Sequence, residues 1–194
     1  MTPTTIETER LVIRPFIQAD LGAIHRILNR AFGEDDPAGE IAAMQERQSW
    51  LQWSILNQEW LPKLYQPPYG DRALALKATD ELIGAVGYVP LLDVYEQIPE
   101  LSQSDTVGPY TTTEFGLFWA IDPAHQRQGY ATEAAAAMID YAFQCLRLKR
   151  VIATTEYENE ASQGVMRKLG MTITRNPLPE PPWLQIVGIL ENRA

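Results

Sequence analysis

Between an apolar run and an alanine-rich helical pattern stands Asp122-Pro-Ala-His-Gln-Arg-Gln-Gly-Tyr-Ala-Thr-Glu133, the segment of this sequence best suited to hold an anion. The first amides of a helix have no intrahelical acceptor, and the macrodipole adds about half a positive charge at that end. Phosphate oxygens can therefore be held there by main-chain donors. Gly129 removes the Cβ that would obstruct their approach. Arg127 and Lys168 are the nearby cations for peripheral phosphate contacts. The segment lacks the Gly-Lys-Ser/Thr ending of a P-loop and the three glycines of a dinucleotide fingerprint. Taken alone it also reads as a plain loop entering a helix, with a glycine for the turn, and the residues by themselves leave both readings open.

Composition narrows the chemistry around that segment. With 16 Lys+Arg against 25 Asp+Glu, the 194-residue chain carries a formal charge of −9, which disfavours broad nucleic-acid binding. Backbone donors resolve the apparent conflict, because they hold a polyanion locally without a basic surface. The single cysteine, Cys145, cannot form an internal disulfide, and with only His25 and His125 beside it no metal site at ordinary ligand spacing is expected. Both histidines read as solvated, and no Gly-x-Ser-x-Gly elbow accompanies His125. Met1 to Arg10 is polar, and no run approaches the ~20 apolar residues of a membrane span, so a soluble cytoplasmic protein without a membrane partner is expected.

The elements that must position the segment emerge from periodicity. Leu11 to Arg14, ending at Pro15, suits an edge strand, and a helix from Asp20 carries Leu21, Ile24, Leu28 and Ala31 at helical spacing up to a cap at Gly33. A second helix runs from about Gly39 to Leu61, with Ile41, Met44, Trp50, Trp53, Leu56 and Trp60 on an imperfect stripe. That stripe faces the core or forms an apolar wall of a substrate pocket. Arg72 to Lys77 and Leu82 to Leu91 read as a hairpin, and Asp93 to Pro109 as a long loop without apolar periodicity. Glu114 to Ile121 is an apolar strand stopped by Asp122-Pro123. The helix from about Gly129 to Leu146 repeats Ala131, Ala134, Ala135, Met138, Ala142 and Cys145 inward, which makes Cys145 a core residue. A strand from Arg150 to Thr155, a short helix from Glu160 to Leu169 and a last strand from Trp183 to Leu190 complete one α/β (or α+β) domain spanning residues 1–194, with a mixed sheet flanked by helices and no dividing linker.

Gln126-x-x-Gly129-x-Ala131 after the apolar strand resembles the acetyl-CoA pyrophosphate loop of the GNAT N-acetyltransferase superfamily, whose pattern is Arg/Gln-x-x-Gly-x-Gly/Ala. Four further pieces agree in order: Thr8-Glu-Arg-Leu-Val-Ile-Arg14, Arg150-Val-Ile-Ala153, Asn159-x-x-Ser162 and Lys168-Leu-Gly-Met171. Together they are similar to the branch of ribosomal-protein N-terminal alanine and serine acetyltransferases. The resemblance implies a mixed, mostly antiparallel central sheet and acetyl-CoA as co-substrate. In its terms Gln126, Arg127, Gln128, Gly129, Tyr130, Ala131 and Thr132 form the pyrophosphate cradle, with the amides of Arg127 to Ala131 as donors. The backbone of Trp119, Ala120 and Ile121 pairs with the pantetheine arm, which Asn159 also contacts, and the acceptor is held by residues 31–70 and 93–113. Asn159 equally suits the N-cap of the helix starting at Glu160. Gly164, in the middle of that helix, hints at close approach by ligand or backbone.

Acetyl transfer needs a neutral amine, a stabilised oxyanion and a proton for the departing thiolate. Deprotonating a lysine amine of pKa ~10.4 at pH 7 costs roughly 4.6 kcal/mol, whereas an α-amine of pKa ~7.7 to 8.0 costs only about 1 to 1.4. Glu114, matching an acidic position of the branch, is the candidate base, directly or through water; the alternative is an exposed strand-end carboxylate. Ser162 matches the serine to which the branch assigns thiolate protonation, and is otherwise a ligand contact. Other members place a tyrosine seven residues after the helix-start asparagine, where this chain has Met166. The expected acceptor is an amine, a peptide or protein N-terminus or a small amine, drawn by the negative field. A homodimer is compatible with the family. The alternative function is an inactive acyl-CoA-binding module, and a nucleotide-triphosphate binder is a third reading.

Overall fold

The computed structural model describes residues 5–33, 39–102 and 111–193. The expected acceptor region reaches into residues 34–38 and 103–110, which lie outside these. Among these residues eight strands form one mostly antiparallel sheet: β1 (Ile6–Glu7), β2 (Leu11–Arg14), β3 (Gly70–Leu76), β4 (Leu82–Asp93), β5 (Thr112–Ile121), β6 (Arg150–Thr155), β7 (Thr172–Arg175) and β8 (Ile186–Glu191), in the order β1-β2-β3-β4-β5-β6-β8-β7. Four α-helices accompany them: α1 (Leu21–Phe32), α2 (Glu40–Trp60), α3 (Tyr130–Asp140) and α4 (Glu160–Lys168). By contacts the chain divides into two compact units, residues 1–88 with 118–138 and residues 89–117 with 139–194. Strands β4 and β5 contribute residues to both.

In the first unit, alternation fixes β2: Leu11 and Ile13 are buried while Val12 and Arg14 are not fully so. It is not the edge strand the sequence suggests, because β1 adds outside it, pairing Ile6 with Ile13. β3 and β4 form the expected hairpin. α1 lays Ile24, Ile27 and Leu28 onto a core with Phe16, Leu51, Ala73, Ala85 and Ala120, and Gly33 closes it at φ 70°. His25, expected in solvent, is buried here. Its Nε2 lies 2.9 Å from Glu40 Oε1 and 3.1 Å from Asn29 Nδ2, so partners one turn along α1 and at the start of α2 offset its burial. The α2 stripe is only partly inward: Leu51 is buried and Trp50 packs edge-on against Phe16 at 5.2 Å, but Ile41, Trp53, Leu56 and Trp60 are exposed. A 21-residue helix covers more length than the core beneath it.

The second unit runs β5 parallel to β6, with Gly116 opposite Ile152, and β6-β8-β7 antiparallel. The stretch after Asp93 is not featureless. A short 3-10 turn at Tyr95–Gln97 aligns Tyr95, Ile98 and Leu101 at every third position, and these pack with Ile152, Leu184, Val187 and Ile189. The last strand starts at Ile186, three residues later than expected, and β7 is a strand too short, at four residues, for its periodicity to reveal. After Asp140 the helix widens into a π turn, Tyr141–Cys145, with Leu146 N donating to Tyr141 O. That extra residue per turn rotates the end of the helix, so Cys145 is exposed and not a core residue.

Candidate active site

In the first unit, β5 ends at Ile121 and Asp122 caps a short turn by accepting from Ala124 N at 3.0 Å. Gln126 Nε2 then donates back to Ile121 O at 3.0 Å, occupying one of the backbone groups assigned to pantetheine. Arg127 and Gly129 take positive φ, 61° and 86°, which turns the chain sharply before α3 begins at Tyr130. The first amide to enter the helical ladder is that of Glu133, which donates to Gly129 O at 3.0 Å. Among the described residues, the amides of Arg127, Gln128, Gly129, Tyr130, Ala131 and Thr132 meet no acceptor. Six consecutive unmet donors at a helix N-terminus form an oxyanion cradle of the kind that holds phosphates.

A brace holds this loop in place. Arg10, in the bend before β2, donates through Nη1 to Gln128 O at 3.0 Å and through Nε to Glu133 Oε2 at 2.7 Å, while its guanidinium lies 4.5 Å over the Tyr130 ring. Its backbone N–H and the Thr8 hydroxyl both donate to Glu133 Oε1. Burial alone would raise the Glu133 carboxyl, but the hydrogen bonds from Thr8 and Arg10 outweigh it and hold it below the usual carboxylate range. Arg30 of α1 pairs with Asp122 at 2.6 Å. Of these side chains the sequence assigns only Tyr130 to the site; Thr8, Arg10, Arg30, Asp122 and Glu133 are not among the site residues it singles out. Thr8 and Arg10 stand in a family-like segment, but nothing local couples them to a residue more than 120 positions away.

In the second unit, Glu114 near the start of β5 is buried, not an exposed strand-end carboxylate. Both its oxygens are taken by Arg150 of β6, Oε2 by Nε at 2.8 Å and Oε1 by Nη2. That bidentate bond raises the Arg150 pKa against the opposing effect of burial, with the charge of Glu114 adding to it. Nearby Tyr95 has its hydroxyl pKa pushed upward by burial, with Asp93 and Glu114 contributing. Asn159 caps α4, its Oδ1 accepting from Ser162 N at 3.0 Å, so Asn159 and Ser162 stand together. Lys168 is exposed in the last turn of α4, about 9 Å along the axis from Ser162. A Cβ at Gly164 would meet nothing within 4 Å, so no protein backbone presses on it.

The family model for the acetyltransferase (GNAT) domain matches residues 10–172. The chain belongs to the GNAT acetyltransferases. It is 26% identical over 166 residues to the uncharacterized N-acetyltransferase YoaA of Bacillus subtilis (strain 168), covering 85% of this chain and 81% of that one. To the uncharacterized N-acetyltransferase YnaD of the same strain it is 47% identical over 60 residues, so that match spans 34% of YnaD and 31% of this chain. Its fold matches that of the ribosomal-protein-S5-alanine acetyltransferase of Vibrio fischeri, with a TM-score of 0.66 and 17% identity over 98% of each chain.

In this GNAT transferase the segment Gln126 to Thr132, following Trp119 to Ile121 of β5, belongs to the first unit. Glu114, Asn159, Ser162 and Lys168 belong to the second. No group of three or more metal-ligating side chains occurs among the described residues, and no described helix is long and apolar enough to cross a membrane.

Proposed function

We propose that this GNAT protein is an acetyl-CoA-dependent N-acetyltransferase that passes the acetyl group directly to a primary amine, a peptide or protein α-amine or a small amine, in a ternary complex. The observation that carries the reading is the row of unmet amides from Arg127 to Thr132, with the exposed Arg127 guanidinium beside them. These residues fit a diphosphate: the donors are present, the helix dipole favours negative charge, and Gly129 keeps the approach clear. Acetyl-CoA supplies an activated thioester. The protein's part is to anchor its diphosphate at the loop, align its arm along Trp119 to Ile121, and manage two protons.

In this reading Glu114 draws the amine proton, directly or through a water, on a carboxylate lone pair that the bonds from Arg150 leave free. An α-amine suits such a weak base, since its deprotonation at pH 7 costs only about 1 to 1.4 kcal/mol. The Ser162 hydroxyl donates to the departing thiolate, whose thiol-like pKa of ~8.5 makes it a tolerable leaving group. Main-chain amides of β5 receive the oxyanion. The locked Glu114 is also the one observation that favours the second reading, an acyl-CoA-binding module without transfer chemistry.

Gly129→Val separates these readings from a plain structural loop. The branched side chain at φ 86° and against Arg10 is expected to abolish acetyl-CoA binding in calorimetry while circular dichroism remains that of the folded protein. Unchanged affinity would refute the cradle. Tight acetyl-CoA binding by the native protein without thiol release on any amine would favour the module.

A further inference from the structure

A second unmet group lies in the first unit, where α2 crosses the start of β3. Asp71 stands opposite Gly87 of β4, and its Oδ2 accepts from the indole N–H of Trp50 at 3.1 Å. Trp50 is itself pinned edge-on against Phe16, so that donor is fixed. The other oxygen, Oδ1, takes no hydrogen bond, and the carboxylate has no ion pair, among the described residues. Gly87 is needed for this arrangement: a Cβ there would lie 2.9 Å from Asp71 Oδ1, 2.5 Å from Asp71 Cα and 2.4 Å from Gly70 O. Beside it, Asn57 Nδ2 is buried without a partner and would stand 3.4 Å from a Cβ at Gly70. Burial raises the Asp71 carboxyl from 3.8 to about 6, against the Trp50 hydrogen bond. The group is thus a half-buried anion with one unpaired oxygen and no cation partner among the described residues.

We infer that Asp71 is the acceptor-recognition residue of this enzyme, its Oδ1 receiving, beside the Trp50 indole, the second and non-reacting ammonium of a diamine or polyamine whose other, neutral amine is the one acetylated. The inference rests on the acetyltransferase reading for the word acceptor, but the binding it describes is independent of turnover. A bound ammonium offsets the carboxylate's lost hydration through a charge-assisted hydrogen bond, which is worth more where water is scarce. Among acidic residues of the chain, Glu114, Glu133, Asp122 and Asp20 each have an arginine partner. Asp71 has a fixed orientation and no such partner, which is what a carboxylate reserved for a ligand requires.

The test uses the full chain, with putrescine and spermidine as the amine probes, and butylamine and a tripeptide amide bearing one free α-amine as single-amine controls whose affinity should not depend on Asp71. Amine binding is measured by calorimetry in the presence of CoA, and turnover by thiol release from acetyl-CoA. Asp71→Asn, which preserves shape, is expected to raise the KM or Kd of the better-bound of putrescine and spermidine at least tenfold while leaving acetyl-CoA affinity within twofold. Asp71→Ser serves equally should the first variant fail to fold. Putrescine and spermidine affinity unchanged in the folded variant, or neither bound by the native protein at 10 mM, overturns the assignment. Amine binding that depends on Asp71 without any thiol release supports the assignment and removes the transferase reading. Turnover indifferent to Asp71 does the reverse.

Discussion

The half-buried carboxylate of Asp71 lowers stability by an amount set by its surroundings. Its pKa rises from 3.8 to about 6 on folding, so between these values the folded state holds more protons than the unfolded state. Stability then falls as pH climbs through that window, and the deficit is complete above it. About 2 pKa units at 1.36 kcal/mol each give roughly 3 kcal/mol, a figure that partial solvent access to Oδ1 trims toward 2. Asp71→Asn removes the charge and keeps an oxygen for the Trp50 indole. The variant is therefore expected to be about 2 to 3 kcal/mol more stable than the native protein at pH 7.5, and within about 1 kcal/mol of it at pH 4. Urea unfolding followed by tryptophan fluorescence reads this as a midpoint shift of about 1 to 2 M at neutral pH. A variant that gains function-free stability at a binding residue is the expected pattern for a site that sacrifices stability for recognition. An Asn variant no more stable at pH 7.5, or a gap that does not narrow with acid, would show that Asp71 is well solvated and would remove the physical basis for treating it as a ligand anchor.

Two other substitutions probe the second unit. Ser162→Ala keeps the Asn159 cap, which uses the Ser162 amide and not its hydroxyl, so kcat should fall at least tenfold while acetyl-CoA affinity changes little; an unaltered rate makes Ser162 a packing residue. Arg150→Met strips both oxygens of buried Glu114 of their donor and should cost about 2 to 4 kcal/mol in urea unfolding at pH 7, most of it recovered by adding Glu114→Gln. A loss below about 0.5 kcal/mol would mean that water reaches the pair and screens it.

The parts of the fold and site that are legible in the sequence are those decided within one element. The turn with its unmet amides, Arg127 to Thr132, is written in the order strand, Asp-Pro stop, glycine turn and alanine helix, all within Glu114 to Ala142. The β3–β4 hairpin and the Gly33 cap are likewise local. The features that escape it are decided by partners distant in sequence. His25 is buried because Glu40 and Asn29 meet it, Arg10 matters because Glu133 receives it, and Glu114 is restrained because Arg150 lies on the neighbouring strand. Cys145 departs from expectation for another reason: inward periodicity assumes 3.6 residues per turn, and the π turn at Tyr141–Cys145 breaks that count one turn too early. Asp71 carries no motif at all, and only its pairing with Trp50 and Gly87 singles it out.

In the proposed reading a chain of net charge −9 holds a polyanion, and the same pairings bear on how it does so. The basic side chains around the loop are largely neutralised: Arg10 by Glu133 and Arg30 by Asp122. Arg127 has no ion pair among the described residues, and the remaining attraction comes from neutral amides whose partial charges act at contact distance. Such donors are insensitive to ionic strength, whereas a cluster of exposed lysines and arginines is screened once the Debye length drops from about 10 Å at 0.1 M salt to about 3 Å at 1 M. Acetyl-CoA affinity measured by calorimetry should accordingly fall less than about tenfold between 0.05 and 0.5 M sodium chloride, and Arg127→Ala should flatten even that slope. A fall of a hundredfold or more would mean that side-chain charge, not the amides opening α3, binds the diphosphate, and the cradle would have to be sought elsewhere on the molecule.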